Sequence, residues 1–500
     1  MLNAAGETAR KKVLVVTDAY PPEVSGGAEI SLKLMVDALA KGECGGEFDI
    51  VIAALSRRAA ALSSEDVDGR RVWRLPHIDE WPVVASKTPA WRRLSRFGLM
   101  RALALRETYL RYLLAPSRRS IGQRYKTIGL WRALARRKLL RLFPLIDADF
   151  LDMGPAAPAL REVIARESPD VIHADNYRSI LLASEAKPPS ARLIFHVRDN
   201  RFLCADREQK TNIRGRICTD CNFECLDEET APFNEALAHL MGETRRLRRE
   251  ALARGDAIIA TSAYLRDQIA RLAPATPVRI APNPADDVCF VDSIQKGVEP
   301  ASPPEILIVG MVNANKGQAA VPRIIERLKD RLADFRIVLA GRGRMIDGIR
   351  EQVAAQGRAD HLITPGFLGR EELYRAYARA CLVLAPNVWP EPFGRAPLEA
   401  GLSRRPVVAY RSGGVCESVA DGETGILVDP QDEDALVEAV AMLINDPQRR
   451  SKMGDAARKR ILAKYPLTAP LDEIAALWRG DSIAPDSPAA AAAALRGAAQ

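Results

Sequence analysis

Short runs of apolar, mostly β-branched residues alternate with helical patterns twice along this chain of 500 residues. One series extends from residues 12–17 to residues 278–281, and a second begins at residues 305–310. Between the two series, residues 297–304 contain three prolines, which is typical of a linker. Because alternating strands and helices build parallel sheets that helices cover, the pattern predicts an α/β fold with two parallel-sheet domains facing each other.

The limits of these two domains follow from where the alternation starts and stops. We predict a first domain at residues 11–285, a linker at 286–304 and a second domain at 305–480. Within the first domain the alternation stops at residues 81–151, which we interpret as a helical insert because its leucines follow a helical spacing. The alanine- and proline-rich tail at 481–500 has no periodicity and is predicted to be disordered.

The positive charge of the chain is concentrated in the helical insert. Residues 91–142 contain 15 Lys and Arg against one acidic residue, a net charge of +14, whereas the whole chain has +8. Proteins that bind nucleic acids usually spread their charge over recognition elements, so we predict no nucleic-acid partner. Aromatic residues interleave the arginines, which favours docking on an anionic membrane surface. An acidic acceptor or simple solvation of the insert remains an alternative.

Composition excludes several classes of protein. The chain is 47% apolar and 27% charged, as is usual for soluble globular proteins, and no run approaches the 18 apolar residues of a spanning helix. The first residues lack the basic segment and apolar core of a secretory signal. Eight cysteines are too few for a disulfide scaffold. We therefore expect a cytoplasmic protein, and peripheral association with the inner face of the cell membrane stays open.

The most informative motif is Trp-Pro-Glu-Pro-Phe-Gly at residues 389–394, between a predicted strand and a predicted helix. Free backbone N–H groups at a helix start form a site for a diphosphate, and Gly394 lets the backbone approach it closely. Glu399, inside that helix, is placed to accept hydrogen bonds from vicinal hydroxyls, as an acidic residue does for ribose in dinucleotide-binding folds. The alternative is that Glu391 is a turn residue and Glu399 an exposed helix charge.

Together with Gly-Gly-Ala-Glu at residues 26–29 and Ser-Gly-Gly-Val-Cys-Glu at residues 412–417, this motif resembles the retaining glycosyltransferases of family 4, the group 1 glycosyl transferases. The resemblance covers residues 13–464 and implies the GT-B fold of two facing Rossmann-like domains. It also implies transfer of a sugar from a nucleoside diphosphate sugar to an acceptor, with retention of the anomeric configuration and no cofactor required for catalysis. The implied acceptor is a glycan, either lipid-linked or part of a cell-surface polysaccharide.

The same resemblance implies roles for residues of the second domain, which would bind the donor. Glu399 would hold the ribose hydroxyls, and Glu391 would lie beside the sugar. The backbone amides of Phe393 and Gly394 would lie near the sugar or the diphosphate.

The loop at residues 310–317 is the next predicted part of the donor site. In the family this loop usually reads Gly-Arg…Lys-Gly, and its two cations neutralise the diphosphate. Gly310 and Lys316 match the pattern, and a lysine there would stabilise the charge that the leaving group gains. Methionine stands where the family arginine is expected, so we consider Arg342 and Arg395 as substitutes. The alternative for Lys316 is a solvated loop lysine.

Gly26, Gly27 and His173 are candidate ligand contacts in the first domain. The two glycines follow the first strand, where they either form a tight turn or let backbone amides reach the donor phosphate or the acceptor. His173 lies near the end of a predicted strand, where ligands bind in open α/β sheets. It is a candidate acceptor contact, and a hydrogen-bonded core histidine is an equal alternative.

Residues 192–204 resemble a family stretch that often reads His-Asp-Tyr-Trp-x-Leu-Cys. Alignment on Asp199 and Cys204 places Arg198 where the family has its active-site histidine. His196 is two residues earlier and would share the face of Arg198 in a strand, so it is a candidate substitute for that histidine in catalysis. The alternatives are that the departure defines a subgroup or that it impairs the chemistry. Arg198 suits diphosphate or acceptor binding but cannot be a base. Transfer is still feasible, because in a front-face reaction the departing phosphate can take the acceptor proton.

Four cysteines crowd into a loop at residues 204–225, namely Cys204, Cys218, Cys221 and Cys225. Four thiolates suit a tetrahedral zinc ion that would be structural, since no coordination position stays open. Free thiols packed under the loop are an equal alternative.

Three other functions remain open at this point. A catalytically silent GT-B scaffold would bind a nucleotide sugar or a partner, and Met311 and Arg198 favour it. A sugar-nucleotide epimerase would share the fold and the ligand. A lipid- or nucleic-acid-binding protein would act through the basic insert.

Overall fold

In a computed structural model of the protein, the structure describes residues 10–23, 27–42, 48–56, 58–76, 156–204, 212–213, 216–217, 242 and 245–481. Several predicted features lie outside these residues. They are the basic insert, Gly26, the cysteines of the 204–225 loop other than Cys204, and the tail beyond residue 481.

The first domain is built on an eight-stranded sheet in the order β10-β9-β6-β5-β1-β2-β4-β3, in which only the β3–β4 pair is antiparallel. The strands in the middle of this sheet are buried runs because helices cover both faces, whereas the edge strand Ser63–Val67 is mostly exposed. The strands, with the separate β7–β8 hairpin, are β1 Lys11–Thr17, β2 Phe48–Ser56, β3 Ser63–Val67, β4 Arg70–Pro76, β5 Val171–Asp175, β6 Arg192–Val197, β7 Asn212–Ile213, β8 Arg216–Ile217, β9 Ala257–Ala260 and β10 Val278–Ile280. The helices are α1 Gly27–Ala40, α2 Ala156–Glu167, α3 Tyr177–Ala186 and α4 Ala263–Leu272.

The second domain has a six-stranded parallel sheet in the order β13-β12-β11-β14-β15-β16. Its strands are β11 Glu305–Val309, β12 Arg336–Ala340, β13 Leu362–Gly366, β14 Ala380–Ala385, β15 Val407–Tyr410 and β16 Gly425–Val428. The helices from residue 288 onward are α5 Val288–Gln295, α6 Val321–Lys329, α7 Ile346–Ala355, α8 Arg370–Arg379, α9 Arg395–Leu402, α10 Val415–Ser418, α11 Glu433–Asn445, α12 Pro447–Lys464 and α13 Ala469–Arg479. The predicted α/β fold with two parallel-sheet domains is therefore confirmed.

Two helices depart from the predicted domain limits. α5 lies inside the predicted linker, and its Val291 is fully buried in a core that belongs to the second domain. α13 ends the predicted second domain in sequence, yet Leu471 and Trp478 pack in the core of the first sheet with Val13 and Val15. Both helices have apolar residues at helical spacing. This pattern predicts that one face of each helix is buried, but it does not indicate which domain covers that face.

Among the described residues, no helix combines the length and the apolar character needed to cross a bilayer.

Candidate active site

The loop that follows the carboxyl end of β14 carries Glu391 and contacts the first domain at Asn200, which follows the carboxyl end of β6. The Glu391 carboxylate accepts three hydrogen bonds on one oxygen, Oε2. The donors are Lys316 Nζ at 2.5 Å, Asn387 Nδ2 at 2.6 Å and Trp389 Nε1 at 2.9 Å. Among the described residues no donor reaches the other oxygen, Oε1, which leaves it available to a ligand hydroxyl.

Lys316 is positioned by close contact between its own loop and the loop after β14. Asn313 caps the short 3₁₀ helix Ala314–Lys316 by accepting a hydrogen bond from the Lys316 N–H at 3.1 Å. The next residue, Gly317, has φ of 70°, and a Cβ there would lie 1.8 Å from the Pro386 carbonyl oxygen. Only glycine permits this approach. The two predicted residues Lys316 and Glu391 are therefore brought together by backbone packing.

The N-terminus of α9 lies directly after this loop. Gly394 precedes the helix with φ of 85°, and among the described residues no side chain caps the first N–H groups. Free N–H groups and the helix dipole favour the binding of an anion at this end of the helix. Phe393 is buried in the domain core, so it contributes its backbone rather than its ring to this end of the helix.

Glu399 lies one turn into α9 and is nearly buried. Its Oε1 accepts a hydrogen bond from Arg395 Nε at 3.0 Å, and its Oε2 accepts one from the Tyr377 hydroxyl at 2.9 Å. Burial, together with the charge of Glu399, raises the pKa of Tyr377 well above its usual value, so the phenol stays a donor. A carboxylate has about four acceptor positions, so two remain on Glu399 for a ligand.

Arg395 connects α9 with the first domain. Its Nη1 donates to Ser31 Oγ in α1 at 3.0 Å and to the Pro284 carbonyl at 3.5 Å. A Cβ on Gly27 would lie 2.7 Å from Arg395 Cδ, so this glycine makes room for the arginine side chain. The predicted donor-site residues Gly27, Arg395 and Glu399 therefore form one contiguous group.

Arg342 lies elsewhere, at the exposed rim formed by the ends of β11, β12 and β13. Its guanidinium stacks over the ring of Phe367, with 5.1 Å between Cζ and the ring centroid. Phe367 and Met311 are each 60% exposed, which is unusual for large apolar side chains. Gly310, with φ of 136°, turns the chain at the end of β11. Sequence reasoning missed Phe367 because a single aromatic residue in a loop has no periodic signal.

His173, His196 and Arg198 are buried around Asp175, where Arg198 contacts Met35 of α1 and His173 contacts Trp478 of α13. Arg198 donates from Nε to both Asp175 oxygens at 2.9 and 2.8 Å, and from Nη1 to Asn283 Oδ1 at 2.7 Å. His196 Nδ1 lies 3.3 Å from Arg198 Nη2, so the two residues share a face as predicted from strand geometry. The position that we aligned with the family histidine is thus occupied by an ion pair within the domain.

His173 is a core histidine in this structure. Trp478 Nε1 donates to its Nδ1 at 3.1 Å, so the ring proton is on Nε2. His173, Asp175 and His196 have candidate metal-ligand atoms within 4.8 Å of one another. Because the Arg198 guanidinium already binds the Asp175 carboxylate, a cation would be repelled there.

This buried group predicts a stability that falls in acid. Burial, with the charge of Arg198, lowers the pKa of His173 to about 3 and that of His196 well below its usual value. Between pH 6 and 4 both histidines are therefore protonated in the unfolded chain and unprotonated in the folded chain. Burial raises the pKa of Asp175 to about 6, against the opposing charge of Arg198, so the folded chain binds one proton that the unfolded chain lacks. Near pH 5 these three groups together give a net difference of about one proton, which lowers the unfolding free energy by about 1.4 kcal/mol for each unit by which the pH falls.

Urea unfolding of the wild type and of His196→Leu, measured from pH 7 to pH 4, tests this expectation. The variant lacks one of the two histidines that stay unprotonated in the folded state, so its unfolding free energy should fall less steeply in acid, by about 1.4 kcal/mol less per pH unit. An identical slope in both proteins would contradict the assignment.

Cys204 is buried at the end of the 3₁₀ helix Asn200–Phe202. Cys218, Cys221 and Cys225 lie outside the described residues, so the predicted zinc site stays a prediction from sequence.

Comparison with known proteins assigns both domains. Residues 291–460 match the family model described as glycosyl transferases group 1, and residues 26–284 match the model of a glycosyl transferase 4-like domain. The chain is 32% identical over 176 residues to an alpha-D-kanosaminyltransferase of Streptomyces kanamyceticus, a match that covers 35% of this chain and 45% of that protein. It is 33% identical over 161 residues to a GDP-mannose-dependent alpha-(1-6)-phosphatidylinositol monomannoside mannosyltransferase of Mycolicibacterium smegmatis, covering 31% of this chain and 42% of that protein. The match thus spans less than half the length of either relative.

Solved structures resemble the whole described architecture. Sucrose-phosphate synthase from Thermosynechococcus elongatus superposes with a TM-score of 0.65 at 18% identity, covering 94% of this chain and 99% of that one. An Anabaena protein in complex with UDP and glucose gives a TM-score of 0.59 at 15% identity, covering 94% and 100% of the two chains. At these identities the likeness shows the fold, which is GT-B. With both domains matched by family models, the chain belongs to the group 1 glycosyl transferases, with a family 4-like first domain.

Proposed function

We propose that the protein transfers a sugar from a nucleoside diphosphate sugar to a glycan or lipid-linked acceptor. The observation that carries the proposal is the Lys316–Glu391 pair directly before the uncapped N-terminus of α9. An ammonium group and free N–H groups converge there, as binding of a diphosphate requires. Glu399, one turn further along the helix, keeps two acceptor positions for ribose hydroxyls.

The same groups support a reaction with retention of configuration. The bond between the anomeric carbon and the diphosphate oxygen breaks, and a bond to the acceptor oxygen forms on the same face of the sugar. The acceptor proton passes to the departing diphosphate, so no protein base is needed. Lys316 and the α9 dipole stabilise the charge that develops on the diphosphate. Glu391 Oε1 is placed to accept a hydrogen bond from a sugar hydroxyl and orient the ring.

Incubation of the purified protein with radiolabelled nucleotide sugars tests this function. When no acceptor is present, water slowly takes its place in the reaction. We therefore expect hydrolysis of one nucleotide sugar, with release of free sugar. The anomer first released, followed by proton NMR, should have the configuration of the donor if the reaction retains it. The inverted anomer would contradict retention, and absence of release from every donor would contradict transferase activity.

A silent nucleotide-sugar-binding protein is the second candidate function. Its support is that Arg198 is held in an ion pair with Asp175 and that Met311 replaces the family arginine. In the same experiment this candidate predicts donor binding, seen as a thermal shift, without release of sugar.

We further propose that the basic insert docks the enzyme on anionic lipid, where a lipid-linked acceptor would be found. Each basic residue near such a surface contributes up to about 1 kcal/mol. Deletion of residues 91–142 should abolish sedimentation with vesicles that contain phosphatidylglycerol, and it should leave donor binding intact. Sedimentation that is unchanged by the deletion would contradict membrane docking.

A further inference from the structure

The loop that contains Glu391 is held by the other domain on both sides of that residue. Pro390 and Pro392 flank Glu391, and a proline has no N–H to donate. The loop is therefore held there through its carbonyls. The Pro390 carbonyl accepts a hydrogen bond from Asn200 Nδ2 at 2.8 Å, and the Pro392 carbonyl accepts one from the Ser262 hydroxyl at 2.5 Å.

Both hydrogen-bond donors are buried and lie at the start of helices in the first domain. Asn200 is buried and begins the 3₁₀ helix that follows β6, where Asp199 caps it. Ser262 is buried, follows β9 and caps α4, its Oγ accepting a hydrogen bond from Leu265 N at 3.0 Å. β6 and β9 are neighbours in the sheet, so the two side chains reach the loop from adjacent strand ends.

The second domain completes the contact from the opposite side. Gly414 N donates to the Glu391 carbonyl at 2.7 Å. Glu417, three residues further, accepts hydrogen bonds from Ala263 N at 3.0 Å and Tyr264 N at 2.9 Å. A carboxylate at the N-terminus of α4 is favoured by the helix dipole. The hydrogen bonds that align the two domains therefore lie close to Glu391 in space.

We propose that Asn200 and Ser262 are positioning residues that place the Glu391 carboxylate for the transfer step. The inference rests on the proposed function. The Glu391 side chain is oriented by its own domain through Oε2, whereas the main chain on either side is fixed by the first domain. The catalytic arrangement is therefore complete only while the domains are in contact. Glu399 and the N–H groups at the start of α9 belong to the second domain, so donor binding should depend less on this contact than the transfer step does.

Replacement of each residue by alanine tests the proposal kinetically. A displacement near 1 Å at a reacting centre can cost about 100-fold in rate. We expect Asn200→Ala and Ser262→Ala to lower kcat about 10- to 100-fold in donor hydrolysis, with the donor Kd changed less than about 3-fold. Ser262→Thr keeps the hydroxyl and should restore most of kcat.

Two comparisons separate positioning from a structural defect. Asp432→Ala removes another side-chain helix cap, an exposed one that accepts a hydrogen bond from Ala435 N at 2.9 Å in α11, and should leave kcat unchanged. In a Glu391→Gln background, Ser262→Ala should cause no further loss, because the group that it positions is already impaired. An unchanged kcat in both alanine variants, or the same loss in the Asp432 variant, would overturn the proposal.

Hydrogen exchange gives a readout that does not depend on activity. Amides of residues 387–394 should exchange faster in Asn200→Ala and Ser262→Ala than in the wild type, and not in Asp432→Ala. If the wild type releases no sugar from any donor, the proposed function fails, and exchange still shows whether the two residues hold the loop. Unchanged exchange in both variants would refute their role.

Discussion

Glu399→Gln should weaken binding of the nucleoside diphosphate sugar about 10- to 100-fold. A hydrogen bond to a charged group contributes about 1.5–3 kcal/mol, and glutamine lacks the charge that the ribose hydroxyls would meet. Glutamine keeps an acceptor for the Tyr377 hydroxyl, so the helix should remain folded. Isothermal titration with the donor selected by thermal shift measures the change.

Two controls test whether the loss of donor affinity comes from the contact between Glu399 and the ribose hydroxyls. Glu305→Gln neutralises another buried carboxylate of the same domain, paired with Arg379 Nη2 at 2.6 Å at the opposite end of β11, and should not affect the donor Kd. A 2′-deoxy donor should bind the wild type more weakly and should lose little further affinity with Glu399→Gln. Equal sensitivity of both proteins to the missing hydroxyl would contradict the assigned contact.

Lys316→Met should lower kcat about 100- to 1000-fold. Removal of one preformed donor to a developing negative charge has an effect of this size, because the interaction strengthens as the leaving group departs. Methionine is one atom shorter but keeps most of the apolar stem of the side chain beside the Trp389 ring, whose centroid is 5.1 Å from Lys316 Nζ. The donor Kd should change less than kcat, and single-turnover hydrolysis separates the two quantities.

Lys187→Met is a matched control for this variant. Lys187 is about as exposed as Lys316 and forms an ion pair with Asp256 at 2.7 Å, at the amino end of the first sheet. Its replacement should leave kcat unchanged. Weaker donor binding with an unchanged kcat in the Lys316 variant would mean that the lysine binds the ground state and the transition state equally, and it would contradict this prediction.

The parallel strands and the main donor-site residues could be predicted because their signals are local. Buried β-branched runs mark the strands, and the motif at residues 389–394 lies between a strand and a helix. The i,i+4 spacing of Arg395 and Glu399 is a further local signal, since it is typical of a helical ion pair. β3 has no such signal, because it is a polar edge strand whose sequence Ser-Ser-Glu-Asp-Val has no apolar alternation.

The contacts between distant segments could not be predicted in this way. Asn200 and Pro390 are separated by 190 positions in the sequence, and no sequence pattern at either residue predicts the contact between them. Arg198 aligned with a family histidine, but only the fold shows that Asp175 on the neighbouring strand pairs with it. Likewise, the helical spacing of α13 shows that one of its faces is buried, and the path of the chain decides that the first sheet covers it.

A crystal structure with an intact donor analogue tests the central claim most directly. We predict that the diphosphate contacts Lys316 Nζ and the backbone N–H groups at the start of α9, with the ribose hydroxyls within hydrogen-bond distance of Glu399. A nucleotide bound elsewhere, with no ligand between Lys316 and α9, would contradict the proposed donor site.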